Sequence, residues 1–271
     1  MMKRFRIGLV SALVTIMAGI AWLALRKPPD PVCQGKPLSM WLESYVASIG
    51  ALRDRPGANL EADAAIRQIG TNALPLLLDR LRTRDSGLKI TLINLAEKQG
   101  IVRIKIPFSS RLAYYATGEA AMAFHALGPN ASNAVPQLIQ TYRDNIGWES
   151  QMACLRALGW IGPAASRATP DLLGAVTNAT PIVRGNAIEA LADIHLEPAL
   201  LVPVIKKSLQ DTNTVVRFCC FHVIVALGPK AKAVVPEVNR LLQDSDPHVA
   251  TFARIALEAI TPEAATNAEV K

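Results

Sequence analysis

Five prolines, Pro75, Pro136, Pro170, Pro203 and Pro236, mark the same point of one repeating unit, and the last four are separated by 34, 33 and 33 residues. The same text recurs around them. Gly128, Pro136 and Asp144 stand at steps of eight, as do Gly162, Pro170 and Asn178, and again Gly228, Pro236 and Asp244. One copy keeps Pro203 and Asp211 but has His195 in the place of the glycine. A period of roughly 20–50 residues signals stacked supersecondary units rather than a closed globule.

Residues 162–194 show what one unit contains. Gly162-Pro163 ends a helix, because glycine accepts the left-handed cap position and proline cannot continue the helix before it. Leu172, Leu173 and Val176 then give apolar positions on a short first helix, with Pro170 in its first turn, where a missing N–H costs little. Asn178 to Thr180 make a turn. A second helix runs from about Pro181, with Ile182, Val183, Ile188, Leu191 and Ile194 on one side. The unit is helix, turn, helix, with an apolar face too wide to be covered alone.

The repeated pieces are Ala157-Leu158 through Gly162-Pro163, Val183-Arg184 with Val216-Arg217, and Ala190-Leu191-Ala192-Asp193-Ile194. This text resembles the short variant of the HEAT family, including the HEAT-like repeats of phycobilisome lyases, over roughly residues 61–262. The resemblance implies an all-α, right-handed α-solenoid of helix-turn-helix repeats. It also implies that Arg184 and Arg217 reach turn acids such as Asp211 and Asp244, forming a ladder that pairs neighbouring repeats.

Four parts are expected along the chain: a membrane segment at 1–27, a Pro-rich linker and capping helix at 28–60, the repeats at 61–262, and a disordered tail at 263–271. Ile7 to Leu25 is 19 residues without a charge, preceded by Lys3, Arg4 and Arg6. As a helix it spans about 28 Å, enough for a bilayer core. Its length favours an uncleaved transmembrane helix over a secretory signal, and the flanking cations tilt the repeats toward the outside of the cytoplasm. After the spacer Pro28-Pro29-Asp30-Pro31, Ser39 is a candidate N-cap for a short helix that buries Trp41 and carries Leu42, Tyr45 and Val46 along one stripe. Pro75 and Pro136 lie 61 residues apart, 28 more than one period of 33, so the first unit carries an insert near 86–110. Within it, Ile101 to Ile106 alternates apolar and cationic residues. Such an insert either covers the open end of the stack or lies on the binding face.

The net charge of +7 and pI near 9.4 permit contact with an anionic surface. The cations cluster, however, around the apolar segment and around the insert (Arg80, Arg82, Arg84, Lys89, Lys98, Arg103, Lys105, Arg111), where a solvated face explains most of them. Cys33, Cys154, Cys219 and Cys220 have no metal-ligand spacing, and Cys154 and Cys219 read as small buried apolar groups. His125, His195, His222 and His248 are scattered. No Ser/His/Asp grouping, phosphate loop or paired-carboxylate motif stands out. These patterns argue against an enzyme, a cofactor, a metal or a small-molecule ligand.

The expected function is a membrane-tethered scaffold that binds another protein on the concave face made by the second helices. Glu149, Arg156, Asn186, Glu189 and His222 are its candidate contact residues, with Arg103 and Lys105 from the insert. Nucleic-acid binding is the alternative, disfavoured because the later second helices carry about one cation each. A phycobilisome-lyase-like enzyme or accessory is a further alternative, which the resemblance alone suggests.

Overall fold

A computed structural model of the chain describes residues 28–49, 59–85 and 113–261. The apolar segment at 7–25, the insert at 86–110 with Arg103 and Lys105, and the tail at 263–271 lie outside the described residues. A two-stranded antiparallel hairpin, β1 (Val32–Cys33) and β2 (Lys36–Pro37), comes first, followed by α1 (Leu38–Ile49). Helices then alternate between short first helices and longer second helices. In chain order they are α2 (Leu60–Ile69), α3 (Leu74–Leu81), α4 (Ala113–Leu127), α5 (Val135–Arg143), α6 (Trp148–Ile161) and α7 (Thr169–Ala175). They continue with α8 (Pro181–Asp193), α9 (Pro198–Ser208), α10 (Thr214–Leu227), α11 (Val235–Leu241) and α12 (Pro247–Ile260). Apart from the hairpin, the described elements are helical, and successive second helices pack on one another from α4 to α12.

The Gly-Pro signals end α4, α6 and α10 as their sequence requires. Gly162 takes φ 75° and ψ −147°, a conformation that strains any residue with a Cβ. The chain does not pass straight into the first helix, however. A 3-10 segment of seven residues intervenes at Gly128–Ala134, Gly162–Ala168 and Gly228–Val234, which puts Pro136, Pro170 and Pro236 in the first turn of α5, α7 and α11. Pro75 sits likewise in α3. The fifth proline departs from the pattern. Without the Gly-Pro pair, α9 begins early, at Pro198, and Pro203 falls inside it.

His195 holds the cap that replaces the missing glycine. Its N–H donates to the Ala192 carbonyl (2.9 Å) and the Leu196 N–H to that of Leu191 (3.1 Å), the paired bonds of a Schellman motif. His195 has φ 61°, a left-handed backbone costing roughly 1–2 kcal/mol for a residue with a Cβ. The His195→Gly variant is expected to raise the unfolding free energy by about 1 kcal/mol, read as a higher urea midpoint. An unchanged or lower midpoint would mean that the imidazole itself holds the turn.

The second helices approach closely where small residues allow it. A Cβ on Gly159 would lie 3.1 Å from the Ala190 Cα, and one on Gly185 would lie 2.7 Å from the Cys219 sulfur. Val183, Ile188 and Leu191 are fully buried in this seam, while Leu173 is 37% exposed; the apolar face of α7 is narrower than its composition suggests. The stretch Thr214–Leu241 is long and apolar enough to cross a membrane. It is α10, a 3-10 segment and α11, broken at Gly228, with Val216, Cys220, Phe221 and Ile224 in the core of the stack.

At the amino-terminal end, α1 packs against α2 and α4. Trp41 is buried, with its indole N–H donated to the Cys33 carbonyl (3.2 Å). Leu42 and Tyr45 are buried too, and the Tyr45 hydroxyl donates to Asp63 (2.5 Å). Burial, together with that bond to a carboxylate, raises the Tyr45 pKa. Ser39 is not the N-cap. It lies within the first turn of α1, and its N–H donates to the Asp30 carboxylate (3.0 Å), which reaches across the hairpin to satisfy the helix end.

Candidate binding groove

The second helices are joined along their amino-terminal ends by a ladder of arginines and turn acids. Each turn is closed by its own side chain: the Thr180 N–H donates to Asn178, Asn213 N–H to Asp211, and Asp246 N–H to Asp244, at 2.8–2.9 Å. Arg184 on α8 gives Nη1 to the Asn178 carbonyl (2.9 Å) in its own turn. It sends Nε and Nη2 as a fork to the two oxygens of Asp211 in the next turn, both at 2.8 Å. Arg217 repeats this one unit later, to the Asp211 carbonyl (2.9 Å) and the Asp244 carboxylate (3.1 Å). The next position in the series is Ala250 in α12, so the ladder ends with the last helix described.

Two cations near the insert belong to the same framework. Arg80 on α3 pairs with Glu119, which is buried on α4. Arg82 contacts Asp144 at 2.7 Å. The expectation of a solvated face around the insert is corrected for Arg80, which a buried carboxylate holds, while Arg82 is half exposed and held by a turn acid. Burial raises the Glu119 pKa against the opposing pull of Arg80.

Fixing the turns in register aligns the second helices, and one stripe of each opens on a shared groove of about 550 Å³. The period of 33 is visible in its lining. Ile182, Val215 and His248 form one row, Asn186, Cys219 and Phe252 the next, and Glu189 and His222 a third. Tyr114 on α4 and Met152 and Arg156 on α6 complete it. The floor is aromatic and aliphatic: the Phe218 and Phe252 rings meet edge to face with centroids 5.1 Å apart. The polar groups are fixed. Asn186 donates to the Ile182 carbonyl (2.7 Å), and Glu189 lies 3.1 Å from Nδ1 of His222. Cys219 is buried against Gly185, and burial raises its thiol pKa far from the range of a reactive thiolate.

Of the sequence-derived candidates, Arg156, Asn186, Glu189 and His222 come together in this groove. Glu149 stands apart, in the first turn of α6. Arg103 and Lys105 lie outside the described residues. Sequence reasoning missed the apolar lining. The apolar spacing puts Ile182 on the same side of α8 as Val183 and Ile188, and Val215, Phe218 and Phe252 look like core on helices this apolar.

The comparisons fit repeated helices. Residues 182–270 match the family of the non-SMC mitotic condensation complex subunit 1. It is a HEAT-repeat-type helical family, and the match begins inside α8 and takes in the groove rows of α8, α10 and α12. HEAT-like character at this coarse level agrees with the helical stack. No curated protein matches the chain.

Proposed function

We propose that this chain is a non-catalytic HEAT-like scaffold that binds a protein segment in the groove across its second helices. The observation carrying this reading is the 33-residue periodicity of the groove lining, which sets exposed Val215 beside half-buried Phe218 and Phe252 between fixed polar groups. Interface centres are typically aromatic and aliphatic with few charges. The match to a condensation-complex subunit family supports a scaffold for protein or DNA contacts.

DNA is the weaker of the two. Among the described residues Arg156 is the one Lys or Arg in the groove lining, whereas duplex binding draws on several phosphate contacts. We further place the apolar run 7–25 as a membrane tether and the repeats, at 61–262 in a right-handed superhelix, outside the cytoplasm. The 19 uncharged residues behind Lys3, Arg4 and Arg6 support this.

The test is affinity capture from native membranes by the full chain. Wild type and a convex-face control, Leu173→Glu, are expected to retain the same partner, while Val215→Glu with Phe252→Glu retains at least about tenfold less. Equal capture by the groove variant would overturn the groove as the binding surface. A reporter fused after Lys271 and read inside the cytoplasm would overturn the placement.

A further inference from the structure

Arg156 is built as an anchor. It is exposed at the groove wall, and its guanidinium carbon lies 5.2 Å from the Trp160 ring centroid, a cation–π contact. His125 holds the other partner position on that indole, edge to face at 5.0 Å. A cation–π contact uses none of the guanidinium N–H groups as a hydrogen-bond donor to a carboxylate. Among the described residues no carboxylate forms an ion pair with Arg156. Glu189, the one acid lining the groove among the described residues, lies instead 3.1 Å from Nδ1 of His222. The groove therefore offers a stiffened, unpaired arginine fork beside an apolar floor. A planar fork of this kind matches a carboxylate in two parallel hydrogen bonds, and its restraint by Trp160 lowers the ordering cost of binding.

Resting on the protein-binding reading above, we propose that the groove takes a polypeptide segment of a partner that carries an Asp or Glu beside an apolar side chain. The carboxylate forks Arg156, and the apolar group seats on Val215, Phe218 and Phe252. A nucleic-acid phosphate would use the arginine but leave the apolar floor empty. A basic peptide would meet Arg156 as a like charge.

Selection of random 16-residue peptides by display on the full chain in detergent micelles tests this. Wild type is expected to enrich peptides that pair Asp or Glu with Phe, Leu or Trp. The charge-reversed Arg156→Glu variant is expected to lose them by at least about tenfold and to enrich Lys or Arg in their place. Val215→Asp should lose both sets. Arg156→Gln, which keeps the stem and the shape of the wall, checks that the loss follows charge. Peptides that enrich without acidic bias, but are lost with Val215→Asp, would overturn the acidic partner and leave the scaffold reading standing. Enrichment indifferent to every groove variant, or no enrichment at all, would overturn both. Salt-sensitive retention of a DNA duplex that depends on Arg156 but not on Val215 would replace the peptide with a phosphate ligand.

Discussion

Replacing Arg184 with methionine is expected to lower the unfolding free energy by about 1–3 kcal/mol, between the ~0–1 kcal/mol of an exposed pair and the ~3–5 kcal/mol of a fully buried one. The pair is half-buried, with the two side chains 15% and 16% exposed. Four bonds go at once: the fork to Asp211 and the contacts with the Asn178 and Ala179 carbonyls. Asp211 keeps the Asn213 N–H and the more distant Arg217 charge but loses its forked partner. Arg217→Met should cost less. Its contact with the Asp244 carboxylate is single, and its Nε–H is buried without an acceptor. In a stacked-repeat protein, stability is close to a sum of unit and interface contributions. A weakened joint between α8 and α10 should therefore split the urea transition as well as lower its first midpoint. A single transition at the wild-type midpoint for Arg184→Met would show that apolar packing alone holds these units together.

The same joint sets an acid response. Burial works to raise the Asp211 pKa, but the Arg184 fork, the Asn213 N–H and the two guanidinium charges outweigh it and hold the carboxyl below its ordinary range. A depressed folded-state pKa contributes stability that is complete above the unfolded value, about 3.9, and is lost as pH falls through the folded value. Glu119 acts in the opposite sense, since its raised pKa makes protonation favour the fold. Acid sensitivity below about pH 4 should accordingly be flattened by Asp211→Asn. A steep acid transition persisting in that variant would place the sensitivity elsewhere.

The parts of this fold that were legible in the sequence are those set by local spacing. The period of the prolines locates the units, and the slot of His195 has a positive φ as the glycines do; the ladder of Val-Arg and turn acids came from the resemblance to HEAT-like repeats rather than from spacing. The 3-10 segments were not legible, because Gly-Pro reports where a helix stops and is silent on how the next seven residues coil. The cap of α1 escaped for a different reason. Asp30 lies nine residues before Ser39, and only the hairpin brings the two together. The groove was half legible. Polar residues on second helices stand out, so Arg156, Asn186, Glu189 and His222 could be named. On α10, where nearly every residue is apolar, one helix alone does not tell the row facing the core from the row facing the groove; the neighbouring helix decides it.

Substituting Pro203 with alanine is expected to stabilise the protein by about 2 kcal/mol. The proline lies in the sixth position of α9, where it has no N–H for the Ala199 carbonyl and its ring crowds that oxygen, a defect worth about 3 kcal/mol in a helix interior. Part of that gain is offset, because proline also restricts the unfolded chain by about 0.4–1 kcal/mol. Packing should contribute little, since Pro203 is exposed while Leu201 and Ile205 on either side are buried. The four other prolines of the series make the internal control. Pro170→Ala removes a residue from the first turn of α7, where no helical bond is missing, and is expected to leave the urea midpoint unchanged or slightly lower. A rise for Pro203→Ala without one for Pro170→Ala would tie the defect to the lost Gly-Pro signal that lets α9 begin at Pro198. Equal shifts in both would mean that the unfolded chain alone accounts for the effect, and that α9 bends around its proline without cost.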